Sequence, residues 1–472
     1  MHKPIEVIDI TPAPGAEVHL YAPRRHIYTR AFSGLFRNLR RIVGGVLMLL
    51  YFATAWVNWG GHQAVWWNLP ERKFYIFGAT FWPQDFILLS GLLIVAAFGL
   101  FFVTVYAGRV WCGYSCPQSV WTWLFMWCEK VTEGDRNQRI KLDQAPFSGQ
   151  KLLRKAAKHG LWIVIALATG LTFVGYFTPI RPLTGELLTG QADGWAYFWV
   201  ALLTVATYAN AGWLREQVCI HMCPYARFQS VMFDKDTLIV SYDPQRGEQR
   251  GPRRKETDPK AVGLGDCIDC TMCVQVCPTG IDIRDGLQIE CIGCAACVDA
   301  CDSVMDKMAY PRGLISYTTE HNLAGLKTRP LRPRLIAYGA VLLVLLGVLV
   351  GGFMTRPLLA LDVSKDRALY RENSQGHIEN VYSLKVINKD QREHLYVLQA
   401  QGLAGLHLHG GGEIHVGPGE IVNRVVRLSV PPEELPASSN EVSFILTTAD
   451  DAQERVEVQS RFNGPAGSGV RP

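Results

Sequence analysis

Eight cysteines between positions 267 and 301 stand at spacings that suit iron–sulfur chemistry. Residues 267–278 read CIDCTMCVQVCP, and residues 291–301 read CIGCAACVDAC. Both follow C-x2-C-x2-C-x3-C, the run found in bacterial proteins with two [4Fe–4S] clusters. Three thiolates on one tight loop reach three iron corners of a cubane, while the fourth cysteine points away toward the second cluster. This assigns Cys267, Cys270, Cys273 and Cys301 to one cluster, and Cys291, Cys294, Cys297 and Cys277 to the other. Pro278 follows the first run, whereas Asp302 occupies the equivalent place after the second. Cysteine-rich loops also bind zinc, but doubling at this spacing favours the cubanes. Each accepts one electron with little rearrangement, which suits an electron relay.

Two further cysteine pairs share a different motif. Residues 111–117 read WCGYSCP and residues 218–224 read VCIHMCP. On a continuing helix, positions i and i+4 share a face, so Cys112/Cys116 and Cys219/Cys223 would each present two thiols side by side. The proline after each second cysteine suits a helix boundary. Three chemistries remain open. Four thiolates at one depth suit soft Cu(I), zinc or another cluster; each pair also suits a dithiol–disulfide cycle; and reduced cysteines are often simply buried. His221, inside the second motif, is either an extra metal ligand or an ordinary interfacial histidine. Cys128 is expected to pack against its neighbours Trp123, Phe125 and Trp127.

The apolar segments contain no histidine to ligate a b-type haem; His62 and His159 lie just outside them. No G-x-G-x-x-G follows a strand, so neither NADH nor flavin binding is supported. Nothing points to nucleic acid. His407, His409 and His415 are closely spaced and would suit copper, although a solvated strand face explains them more simply.

These residues have to be positioned by membrane helices. The chain has 472 residues, 49% of them hydrophobic and 19% charged, with 13 Cys and a net charge of +5. Eight clustered cysteines in a chain this long argue against a small secreted disulfide scaffold. Polar and basic residues fill the stretch before the first apolar run, which argues against a secretory leader. Five stretches are long and apolar enough to span a bilayer: Ile42–Trp59, Phe86–Tyr106, Gly160–Phe177, Trp195–Gly212 and Leu335–Met354. Trp56, Trp59, Trp66 and Trp67 suggest an interfacial aromatic belt. Lys and Arg gather before the first span, between the second and third, and between the fourth and fifth. The positive-inside rule then places the N-terminus and the cysteine-rich insert in the cytoplasm and the C-terminus outside, in a multi-pass bacterial inner-membrane protein.

The expected organisation is a cytoplasmic tail (1–41), spans one and two (42–106) and a loop with the first C-x3-C-P motif (107–159). Spans three and four (160–212) and a loop with the second motif (213–262) form a matching unit, which suggests an internal repeat. A ferredoxin-like domain (263–320), a basic linker (321–334) and span five (335–354) follow. Residues 355–472 alternate at period two around Tyr382–Val386 and Val456–Val458, with turns at Gly417-Pro418-Gly419 and Asn388-Lys389-Asp390, as in an immunoglobulin-like β-sandwich. The fold class is thus a multidomain membrane protein: a five-helix transmembrane bundle, a cytoplasmic 2[4Fe–4S] bacterial-ferredoxin-type domain and a C-terminal β-sandwich.

This arrangement resembles the FixG/CcoG (RdxA) family, accessory proteins of the bacterial cbb-type cytochrome c oxidase. The resemblance rests on five spans, CGYSCP and CIHMCP after spans two and four, the eight-cysteine insert before span five, and the sandwich tail, and it covers essentially the whole chain. It implies a cupric reductase that supplies Cu(I) for the oxidase's copper–haem centre, with copper as substrate or bound ion. Cys112, Cys116, Cys219 and Cys223, with His221, would then handle copper. Implied partners are membrane lipid, oxidase assembly factors, copper transporters or chaperones, and an electron donor that the sequence does not name. The C-x3-C-P pairs are also similar to those of the membrane quinol-oxidising proteins of periplasmic nitrate and nitrous oxide respiration. A quinol-linked electron carrier and a non-enzymatic assembly scaffold therefore stand as alternative readings.

Overall fold

The structure, a computed structural model, describes residues 26–255, 257, 263–390, 392–449 and 455–465. The polar tail expected at 1–41 therefore lies outside the described residues as far as position 25. Among the described residues, three helices are long and apolar enough to cross a membrane: Phe86–Ala107, Gly149–Gly175 and Pro333–Met354. Phe86–Ala107 contains no charged residue, and its 22 residues extend about 33 Å at the helical rise. It packs antiparallel to Pro333–Met354, with Gly91 against Leu349, Gly339 against Phe102 and Gly352 against Leu88. Small residues at these crossings let the two backbones approach.

The other two expected spans are built differently. The first helix runs from Leu35 to Thr54 and carries Arg37, Arg40 and Arg41 in its opening turns. It stops short of the Trp59 boundary expected from hydropathy. Asn58–Trp59 pairs instead with His62–Gln63 across Gly60 and Gly61, both at positive φ, so a hairpin replaces the last helical turn. Trp66 and Trp67 lie on a strand of a small three-stranded sheet, with Trp66 stacked on Tyr75 at 5.4 Å. In the fourth apolar stretch, the α-helix covers Gly194–Tyr208 and continues as a π-helix over Ala209–Leu214. The third begins eleven residues before the expected Gly160, because Ser148 caps it through Lys151 N–H and its first turns are charged rather than apolar.

The cysteine-rich insert is a compact unit seated on the first helix. Strand Ile239–Tyr242 pairs antiparallel with Ile315–Thr318, and helix Ala296–Met308 packs beside this pair. Buried Asp299 of that helix accepts from the Phe36 and Arg37 N–H groups at 3.2 and 2.7 Å. The carboxylate thereby satisfies open N–H groups at the start of the first helix, which has no side-chain cap of its own, and pins the insert to it.

The C-terminal part is a two-sheet sandwich. One sheet runs His407–His409, Ile421–Val430, Ile378–Asn388, Leu359–Lys365, with Arg371–Glu372 also on the third of these. The other runs Gly412–Val416, His394–Gln401, Ser439–Thr448, Arg455–Asn463. Alternate residues such as Tyr382, Leu384, Tyr396, Leu398, Phe444 and Phe462 meet in a single core. The 417–419 turn joins strands Gly412–Val416 and Ile421–Val430, as its residue types foretell. A buried ion cluster fastens the sandwich to the helices. Asp85, at the start of Phe86–Ala107, meets Lys389 Nζ at 2.9 Å and Arg356 at 3.6 Å.

Candidate functional site

Each four-cysteine run folds the same way. A loop holding the first two cysteines turns through left-handed residues, Asp269 and Thr271 in one run and Gly293 and Ala295 in the other. It then enters a helix that carries the third, Cys273 in Met272–Gln275 and Cys297 in Ala296–Met308. The first helix is only four residues long and ends before Pro278. The second runs seven residues past Cys301, and Asp302 accepts from Gly313 N–H at 3.0 Å. A proline at 302 would break that helix in mid-course, which accounts for aspartate there.

The thiol groupings cross between the runs. Cys301 is surrounded electrostatically by Cys273, Cys267 and Cys270, whereas Cys277 faces Cys294, and Cys291 faces Cys294 and Cys277. Burial pushes the Cys273 thiol up to about 11 and those of Cys291 and Cys301 up to about 12. A buried thiol of this kind ionises when a metal compensates the charge. Between the runs lies a small cavity bounded by Cys273, Cys277, Cys291, Cys294 and Cys297 with Ala295, Ala296 and isoleucines. Gly293 N–H points at Cys291 Sγ at 3.5 Å, a donor suited to a ligating sulfur. A cradle of convergent thiols, small residues and an N–H···S contact fits an iron–sulfur cubane.

The two C-x3-C-P motifs are also built alike, but not as continuing helices. Cys112 sits in the short helix Val110–Tyr114; Cys116 is extended and precedes helix Pro117–Glu133. Cys219 sits in the π-helical turn Val218–Met222; Cys223 is extended and precedes helix Pro224–Met232. The shared-face arrangement expected at i, i+4 is therefore replaced by a break at the second cysteine. The cause is the proline, which bars the preceding residue from helical geometry and opens the next helix instead.

The fold gathers both motifs into one constellation. The charges acting on Cys219 include Cys116, Cys112 and Cys223, and those on Cys112 include Cys116 and Cys223. Burial pushes Cys112 up to about 11 and Cys219 up to about 12. Cys112 Sγ donates to Gln229 Oε1 at 3.4 Å; Gln229 is fully buried, and its Nε2 has no acceptor among the described residues. No three His, Cys, Asp or Glu side chains among the described residues close to single-ion distance, here or in the insert. No cysteine is joined to another in a disulfide. His221 is exposed. Cys128 is buried beside Phe125, as expected, but Trp162 completes its surroundings, and Trp123 and Trp127 line a cavity instead. His409 bonds Ser429 Oγ at 2.8 Å, and His415 lies on the other sheet, facing Leu395 across the strand pair.

The first motif is pressed onto the second cysteine loop. A side chain at Gly113 would meet Cys294 Cα and Gly293 O at 2.9 Å. The Arg109 guanidinium donates to the carbonyls of Ile289, Cys291 and Ala226. Tyr317 OH donates to Gly293 O at 2.6 Å and meets Tyr114 OH at 3.1 Å. Arg40 Nε donates to Gly113 O at 3.1 Å. On the second motif's side, buried Glu129 bridges Arg139 and Arg215, and Arg215 lies at the end of the π-helix four residues before Cys219. Sequence reasoning counted Arg109 only as a topogenic charge and passed over Gln229 and Tyr317. An available signal was the charged residue placed three or four positions before each motif's first cysteine.

Residues 214–320 match the family described as a 4Fe-4S dicluster domain, and residues 349–465 the one described as an IG-like fold at the C-terminus of FixG. The chain is 37% identical to nitrogen fixation protein FixG of Rhizobium meliloti, covering 95% of both chains. It is 39% identical to protein RdxB of Cereibacter sphaeroides, over 94% of this chain and 97% of that one. A shorter likeness, 24% identity over 39% of this chain and 65% of the other, is to ferredoxin-type protein NapH of Haemophilus influenzae. Near-full-length identity, the dicluster insert and the sandwich tail together place the chain in the FixG/RdxA family, as a membrane iron–sulfur electron-transfer protein.

Proposed function

We propose that the protein is a cupric reductase, taking Cu(II) to Cu(I) at Cys112, Cys116, Cys219 and Cys223 for assembly of a cbb-type oxidase. The observation that carries this is the direct packing of the first C-x3-C-P motif on the second cysteine loop, with Gly113 against Gly293 and Cys294. A group of soft sulfur ligands thus touches a one-electron module. Two [4Fe–4S] clusters, one on Cys267, Cys270, Cys273 and Cys301 and one on Cys277, Cys291, Cys294 and Cys297, supply one-electron transfer when bound.

The chain's own residues set the rest. Copper gains one electron and no covalent bond of the substrate breaks, so the site must bind the ion and stabilise the product. Thiolates do so selectively, because Cu(I) is the softer ion. Gln229 fixes the Cys112 thiol, and Arg109 ties the motif to the loop through three carbonyls. Glu129, through Arg215, is the positioning residue for the turn that leads to Cys219. In this reading five segments cross the inner membrane. The arginine-rich end of the first helix, the insert and the cysteine constellation face the cytoplasm, and the sandwich lies opposite. Oxidase assembly factors or copper carriers are the partners.

The double substitution Cys219→Ser/Cys223→Ser leaves all eight insert cysteines in place. Cu(I) formation should fall to background while iron content and cluster absorbance stay at wild-type levels. Undiminished reduction would remove these thiols from the site.

A further inference from the structure

A cavity opens between the first helix, helix Pro117–Glu133 and the stretch around Cys277. Its charged lining is one-sided: Arg30, Arg37, Arg40, Lys130 and Arg139 against the single carboxylate of Asp135. Asp135 is already engaged, accepting from Ala31 N–H at 2.9 Å and capping the helix that follows. Arg139 is 4% exposed and pairs with Glu129, which lies behind the cavity and also neutralises Arg215. Its buried Nε–H has no acceptor among the described residues. Arg37 and Lys130 make no ion pair among the described residues. Convergent cations of this kind repel one another, and that repulsion is relieved when an anion sits between them.

The opposite wall is apolar. Trp123, Met126 and Trp127 stand one helical turn apart on Pro117–Glu133, with Lys130 continuing the same face. Arg37 and Arg40 bring the arginine-bearing start of the first helix into the lining, and on the membrane topology proposed above this end lies at the level of the bilayer headgroups. Guanidinium groups facing indoles make a place for a ligand with a multiply charged oxyanion head.

We propose that this cavity binds a phosphate-bearing anion, the head of an anionic phospholipid or a soluble phosphate. The planar guanidinium forks of Arg37 and Arg40 match phosphate oxygens in a way that lone ammonium groups do not. The site adjoins the first C-x3-C-P motif, since Arg40 Nε donates to Gly113 O at 3.1 Å, and it reaches the insert through Val276, Pro278 and Arg30, whose N–H donates to Gln275 O at 2.8 Å.

The test uses full-length, delipidated protein in neutral detergent and follows tryptophan fluorescence, since Trp123 and Trp127 line the cavity. The probes are short-chain phosphatidylglycerol, inorganic phosphate and a short-chain diacylglycerol that lacks phosphate. Phosphatidylglycerol should bind saturably, and Arg37→Gln or Lys130→Gln should each weaken it about tenfold, the loss of one charge-assisted hydrogen bond. Neither variant touches the Glu129 network, so both should fold. If inorganic phosphate competes at similar concentration, the ligand is a soluble phosphate; if it does not, the ligand is a lipid head. Equal binding of diacylglycerol, a titration without saturation, or affinity unchanged in both variants would overturn the proposal.

Discussion

Replacing Gly113 with valine should slow Cu(I) formation by at least roughly a hundredfold, the scale on which ångström misplacements act at a reacting centre. A β-carbon at this position meets Cys294 Cα and Gly293 O at 2.9 Å, and Ile292 O at 3.0 Å. All three atoms are backbone, in a loop whose geometry is fixed by its cysteines, so the strain cannot be relieved by turning a side chain. The motif must lift away from the loop, carrying Cys112 with it. The hydrogen bonds of Arg109 to Cys291 O and of Tyr317 to Gly293 O locate the same contact independently. Stopped-flow mixing of the reduced variant with Cu(II), with iron content and thermal stability measured in parallel, separates loss of contact from loss of fold. A wild-type rate in the intact variant would mean that electrons reach copper by another path.

Asp85→Ala should destabilise the junction between sandwich and helices by about 3–5 kcal/mol, the usual cost of stranding one partner of a buried ion pair. Lys389 Nζ is 2.9 Å from Asp85, with side-chain exposures of 3% and 6%, and Arg356 stands on the other side. The alanine leaves two cations facing each other in a buried place. Removing charge on both sides, as in Asp85→Asn with Lys389→Met, should recover part of the loss, because no ammonium is then left uncompensated. Limited proteolysis of the stretch around residues 355–358, together with the thermal midpoint of the sandwich, reads both effects. Equal resistance of Asp85→Ala and wild type would show that the ion cluster does not hold the domain.

What the sequence disclosed, it disclosed through local chemistry. The crossed sets of Cys267, Cys270, Cys273 with Cys301 and Cys291, Cys294, Cys297 with Cys277 are read from loop length alone. Alternation marked Tyr382–Val386 as strand because one face of it is buried. The helix ends were less legible. Hydropathy carried the first span through Trp59, whereas Gly60 and Gly61 turn the chain into a hairpin. Composition gave no sign that the fourth apolar stretch leaves α-helical geometry after Tyr208. The prolines at 117 and 224 did announce the helix breaks, yet a 3.6-residue period was carried through them.

The contacts that join the parts were not legible at all. Gly113 meets a loop some 180 residues away, the Asp85–Lys389 pair is separated by 304, and Asp299 caps a helix that begins more than 260 residues earlier. Each depends on where whole elements pack, which no local window encodes. The gathering of Cys112, Cys116, Cys219 and Cys223 lies between these cases. Matching motifs after two apolar pairs suggested it, and the packing brings it about.

Copper reduction itself is tested most directly with anaerobically purified protein whose clusters have been chemically reduced and freed of excess reductant. Cu(II) is added with a Cu(I)-specific chelator, and iron–sulfur absorbance is followed beside the Cu(I) complex. Reoxidation of the clusters in step with Cu(I) formation, one electron per copper ion, is the expected result. Clusters that stay reduced while Cu(II) persists would contradict a copper reductase and leave an electron carrier with another acceptor.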